Sequence, residues 1–183
     1  MVAAGNFWVK LALSAAFLAS FSIVFSGKVI LDLLHPRITD LIVGVISAAT
    51  LYGIFLVGEL VLTAILPSAD AGIQSVYAPR TALPSRAVGA LLLCLTAVAE
   101  EVFWRGFVQR VLVKKTSAPL GIAIGLLFYA GVHAWTLNVP LMLAAFVAGG
   151  VWSLQFYLHK RLPSVIISHA LWSITIFLFL PVV

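Results

Sequence analysis

The chain has 183 residues, 63% of them apolar and 9% charged, with a mean hydropathy of +1.16 and a net charge of +5. A soluble domain carries about a quarter charged residues, so a surface this apolar is matched to lipid, and a water-soluble globule is excluded. The single cysteine, Cys94, rules out an intrachain disulfide and a thiolate metal cluster; the basic residues gather at the ends of apolar runs, which indicates membrane-surface anchoring rather than nucleic-acid binding.

A helix needs about 17 or more apolar residues to cross the hydrocarbon core. Six runs qualify, at about 7–25, 41–66, 87–112, 119–136, 139–158 and 163–182. The expectation is an all-α polytopic membrane protein whose helices form one bundle. The first run is read as a retained helix, because Lys10 is its only early positive charge and no small-x-small cleavage site follows. The second and third are the longest and are expected to tilt or to emerge from the bilayer. Between them, residues 67–86 carry Pro67, Pro79 and Pro84 with Ser68, Asp70 and Gly72. That composition predicts an irregular polar loop outside the hydrocarbon, with room for a short interfacial helix. The loop divides the chain into two N-terminal helices (1–84) and a four-helix core (85–183). Spans one and two contain little polar chemistry apart from Glu59, placed to snorkel or to pair with Arg86, and no aspartate falls within any of the six spans so drawn.

Basic residues set the expected orientation. The connections after spans one, three and five hold seven: Lys28, Arg37, Arg110, Lys114, Lys115, Lys160 and Arg161. The opposite side holds three: Lys10, Arg80 and Arg86. The positive-inside rule places the richer side in the cytoplasm and both termini outside.

Ionisable groups within membrane helices are costly and usually face a protein interior or a water-filled cavity. This chain places Glu100, Glu101, Arg105, His133 and His169 in spans three, four and six. Each taken alone is explained by an interhelical hydrogen bond or ion pair; five together point to a site. At 1.5 Å per residue, Glu100 lies roughly 18 Å and His133 roughly 21 Å from the same face, with His169 roughly 9 Å and Ser173 roughly 15 Å in. These depths allow the groups to converge if the three helices pack together. Arg105 is four residues from Glu101, a good ion-pair spacing, but five residues and about 140° from Glu100. Glu101–Arg105 is therefore read as a brace. Glu100 remains as the free carboxylate, able to hold a proton beside a histidine and act as general base.

Absent motifs narrow the chemistry. There is no HExxH and no G-x-S-x-G elbow, which argues against the corresponding metalloprotease and serine hydrolase. Aspartate-free spans exclude a paired-aspartate intramembrane protease. Cys94 reads as a packing residue. Two histidines and two carboxylates leave a zinc ion as an alternative to a cofactor-free site.

Glu100-Glu101-Val102-Phe103-Trp104-Arg105 resembles the EExxxR signature of the CPBP family, which comprises type 2 CAAX prenyl proteases, bacteriocin-processing enzymes and abortive-infection proteins. Tyr129-Ala130-Gly131-Val132-His133 is similar to its FxxxH motif, and His169-Ala170-Leu171-Trp172-Ser173 to its third motif, a histidine followed four residues later by asparagine or aspartate. The resemblance covers about residues 85–182. It implies a glutamate-type intramembrane endopeptidase in which Glu100 and His133 activate water and His169 with residue 173 stabilises the oxyanion. Arg105 would hold Glu101, and the Tyr129 ring would pack one turn from His133. Ser173 departs from the pattern, since a hydroxyl reaches less far than an asparagine amide. Trp104 and Trp172 flank the motifs, either as helix packing or as an apolar wall for substrate. The expected partner is a membrane-embedded or lipidated peptide, with a leader or C-terminal sorting tail trimmed in a bacterial inner membrane as the favoured case. The alternatives are a non-catalytic membrane scaffold of the same family and, from a different class, a proton-coupled transporter.

Overall fold

The computed structural model describes residues 4–183, with side chains from Phe7 onward. The elements are α1 (Ala4–Leu33), α2 (Ile38–Ile65), α3 (Ala69–Tyr77), α4 (Arg86–Glu101), α5 (Arg110–Lys115), α6 (Ala118–Gly131), α7 (Val139–His159) and α8 (Leu162–Ile174). A π-helical stretch, Val102–Gln109, joins α4 to α5 in one rod, and a second, Thr175–Phe179, extends α8. Six of the helical rods are long and apolar enough to cross a membrane, in the order read from the sequence.

The rods run past the sequence-drawn limits at several ends. α1 continues to Leu33 across a break at Ser26, where φ is −147° and ψ 18°. α2 begins at Ile38 rather than 41. Asp32 and Asp40 therefore do lie within spanning helices, correcting the aspartate-free reading. Both sit at helix ends that face the α1–α2 connection rather than at mid-depth. The 67–86 connection does contain a short helix, α3, followed by a 3-10 turn over Ala78–Ala82. Pro79 starts that turn and Pro84 lies beyond it, where a missing N–H costs no helical hydrogen bond.

α8 is the axis of the bundle. Half of its span (50%) is buried inside the protein, against 11% of the α1 span, which places α1 at the lipid-facing edge. α2 lies along α8, with α4 and α7 on its other sides. The α2–α8 approach depends on Gly44, where an added Cβ would stand 2.6 Å from Ile167 Cγ2 and 2.9 Å from the Ser164 carbonyl. Membrane helices associate largely through packing of this kind, because lipid offers apolar side chains as good a solvent as a neighbouring helix does.

Two sets of contacts fasten the ends of the bundle. At one end Trp8 Nε1 donates to the Pro79 carbonyl at 3.0 Å, and the Val182 N–H donates to the Tyr77 hydroxyl at 3.2 Å. The start of α1, the α3 loop and the C-terminal tail thus share one face. At the other end Arg161 forms a two-pronged pair with Asp40, Nε to Oδ1 and Nη2 to Oδ2 each at 2.8 Å, and also donates to the His35 carbonyl. Asp40 is buried, and its Oδ2 accepts the Arg37 N–H at 2.7 Å, capping the start of α2. The connections after the first and fifth spans therefore meet on a common face, as the alternation of the spans requires.

Candidate active site within the helix bundle

Glu101 ends α4, and the backbone then winds as a π-helix through Arg105. Such turns are rare and often mark functional positions. Glu101 and Arg105 are 0% and 1% exposed, and Arg105 Nη1 donates to Glu101 Oε1 at 2.9 Å, so the four-residue pairing holds in the structure. Arg105 Nη2 donates to the Gly149 carbonyl of α7 at 2.9 Å. The guanidinium also lies 4.7 Å from the Tyr129 ring centre and 5.6 Å from that of Trp152. A buried ion pair stands only when its remaining donors are satisfied; here a carbonyl and two ring faces do so.

Gly149 admits this arrangement because it lacks a side chain. A Cβ there would stand 2.5 Å from Tyr129 Cδ1. The Tyr129 ring, buried as expected, also meets Trp104 edge-on at 5.4 Å.

His169 joins the same carboxylate. Its Nδ1 lies 2.7 Å from Glu101 Oε1, so this oxygen receives both Arg105 and His169 while Oε2 has no partner among the described residues. The imidazole stacks on Trp152, with centroids 3.8 Å apart and planes 19° from parallel. Trp152 is itself held by a relay across three helices. Its Nε1 donates to Ser168 Oγ (3.1 Å), which donates to Ser47 Oγ (3.0 Å), which donates to Gln155 Oε1 (2.7 Å).

Glu100 is half-buried and makes no side-chain hydrogen bond among the described residues, yet His169, Glu101, His133 and Arg105 all lie within electrostatic reach of it. His133 stands just beyond the end of α6, with Nδ1 3.2 Å from the Tyr129 carbonyl. A carbonyl only accepts, so this contact is made by a proton on Nδ1, and in that neutral tautomer the lone pair lies on Nε2. Ser173 is buried one turn beyond His169 on α8, its hydroxyl unbonded among the described residues. The structure thus brings Glu101, Arg105, Tyr129 and His169 into contact and sets Glu100 and His133 close by. It shows no hydrogen bond between Glu100 and His133, nor between Ser173 and His169.

Trp104 and Trp172 are packed residues in this structure. Trp172 meets Phe55 at 4.8 Å and Trp152 at 5.6 Å, and its buried indole N–H has no partner among the described residues. Cys94 is partly buried. Glu59 forms no ion pair with Arg86 among the described residues; the Arg86 guanidinium lies 5.7 Å from the Phe179 ring centre instead. Among the described residues no three of His, Cys, Asp and Glu are grouped to hold a metal ion. Sequence reasoning passed over Trp152, Gly149, Ser168, Ser47 and Gln155. The polar side chains of Ser153 and Gln155 within span five were the available signal.

An all-helical membrane protein with a carboxylate, guanidinium and imidazole cluster buried among its helices is the class that fold and site define. Residues 82–175, just over half of the chain, match the family model described as type II CAAX prenyl endopeptidase Rce1-like, and the chain belongs to this family of proteases. All three motif segments fall within the match. Comparison with curated proteins and with solved structures gave no match.

Proposed function

We propose that the chain is an intramembrane endopeptidase that hydrolyses a peptide bond with a water activated by Glu100 and His133. The observation that carries this reading is the asymmetry of the adjacent glutamates. Glu101 is locked by Arg105 and His169, whereas Glu100 has no hydrogen-bond partner among the described residues and lies near two histidines. In this reading a water lies between the Glu100 carboxylate and His133 Nε2. The carboxylate takes its proton as the oxygen attacks the carbonyl carbon, and that proton then passes to the leaving amine. His169 offers Nε2 to the oxyanion. Because its Nδ1 is directed at Glu101, donation from Nε2 requires a proton on both ring nitrogens. Ser173 supplies the second donor.

The substrate is proposed to be a membrane-embedded or lipidated peptide, because the site lies between spanning helices. Trimming of a leader or C-terminal sorting tail at a bacterial inner membrane, with both termini outside, is the favoured setting. A non-catalytic scaffold is the second reading, favoured by Ser173 in place of an amide and by its hydroxyl, unbonded among the described residues. The test is cleavage of a farnesylated CAAX peptide by the full chain in liposomes, compared with Glu100→Gln and His133→Ala. Activity lost in both variants supports the peptidase. Equal cleavage by wild type and Glu100→Gln removes it.

A further inference from the structure

His133 occupies an unusual place for a side chain assigned a role in water activation, because no regular helix fixes it. α6 has ended at Gly131, a 3-10 turn spans Ala134–Thr136, and α7 starts only at Val139. Leu137, immediately after this turn, adopts a left-handed backbone with φ 53° and ψ 23°. An L-residue enters that region at a cost, and such a turn persists only where its surroundings over-determine it. Leu137 is 88% exposed, so its own packing does not hold the turn.

Polar contacts hold it instead. The Thr136 N–H and Oγ1 both donate to the His133 carbonyl, at 3.0 and 2.7 Å. Thr136 Oγ1 in turn accepts the Asn138 N–H at 3.2 Å. The Asn138 side chain uses both ends. Oδ1 accepts the Leu141 N–H at 3.0 Å and so caps α7, while Nδ2 donates to the Gly72 carbonyl and to Ser75 Oγ, each at 2.9 Å. Gly72 and Ser75 belong to α3, where Ser75 Oγ also donates to the Gly72 carbonyl at 2.8 Å. An added Cβ on Gly72 would stand 2.8 Å from Pro140 Cγ, so α3 lies directly against the start of α7.

We infer that Thr136 and Asn138 are positioning residues for His133, and that α3 is the brace against which they hold it. The inference rests on the peptidase reading. α3 precedes the segment that matches the family, which starts at residue 82, so this support comes from the chain's own 67–86 connection. It fixes the backbone of His133 and, through the Tyr129 carbonyl bonded to Nδ1, the direction in which Nε2 points. A misplacement of about 1 Å at a reacting group can lower the rate about 100-fold.

The test uses the full chain in liposomes with a farnesylated CAAX peptide, together with the 15N ring resonances of His133, assigned by their loss in His133→Ala. Thr136→Val keeps the side-chain shape but removes the hydroxyl donor to the His133 carbonyl and the acceptor for Asn138; Thr136→Ser restores both. Asn138→Asp keeps the oxygen that caps α7 and removes the two donors to α3. Thr136→Val and Asn138→Asp are expected to lower kcat by about 10- to 100-fold with KM unchanged, and to shift the His133 resonances while those of His169 stay in place. Thr136→Ser should recover both readouts. Wild-type kcat and unmoved His133 resonances in the two variants would overturn the inference while leaving the peptidase reading intact. If wild type cleaves no better than Glu100→Gln, it is the peptidase reading that fails. The His133 resonances then decide the positioning role alone, and an unmoved spectrum in both variants rejects it.

Discussion

At the scale of the residue, the adjacent carboxylates have opposite environments. Glu101 is enclosed with Arg105 and His169, and Glu100 is half-buried without a hydrogen-bond partner among the described residues. Removing one member of a buried ion pair strands the other charge and costs about 3–5 kcal/mol. Arg105→Ala is accordingly expected to lower the stability of the protein in mixed micelles by about that amount, with Glu100→Gln close to wild type. A Glu100→Gln variant as unstable as Arg105→Ala would show that both glutamates are structural. Ser173 gives a second prediction at this scale. If its hydroxyl is an oxyanion donor, Ser173→Ala lowers kcat by about 100- to 1000-fold, whereas Ser173→Asn retains or raises it; identical kcat in all three forms would exclude the role. The four-residue step from Glu101 to Arg105 was legible in the sequence because it is local to one helix. The Trp152 stack on His169 and the Gly149 carbonyl were not, since they depend on how α7 faces the α4 rod and α8.

At the scale of the element, apolar run length located all six rods, because hydrocarbon thickness fixes how many residues each must supply. Their ends were less legible. Hydropathy falls before the helix does where a charged residue is satisfied locally, and Asp40 capping α2 through the Arg37 N–H is such a case. The π-turn through Arg105 was not foreseen either, as its residues have ordinary helical composition and only the tertiary hydrogen bonds of Arg105 distinguish it. The position of His133 shows the same limit. Sequence depth placed it in the layer of Glu100, but a uniform helix over 119–136 was too simple, since α6 stops at Gly131 and the histidine sits in a turn tied to α3.

At the scale of the whole molecule, the alternation of six spans puts the connections after the first and fifth on one side, and the structure supplies the contact that joins them. Arg161 binds Asp40 with both prongs of its guanidinium and reaches the His35 carbonyl, so α1, α2 and α8 are fastened at one end. Asp40→Asn and Arg161→Ala should each lower the melting temperature of the purified protein, and the double variant should fall no further than the worse single one, because the two residues act as a pair. Additive losses would show that they act separately. The site lies among rods fastened at both ends, with Glu101 locked by Arg105 and His169 and Glu100 left without a hydrogen-bond partner among the described residues. The most direct measurement of the central claim is hydrolysis of a farnesylated CAAX peptide in liposomes by wild type and by Glu100→Gln at equal folded amounts. The account predicts cleavage by wild type and none above background in the variant; cleavage at the wild-type rate by Glu100→Gln would contradict it.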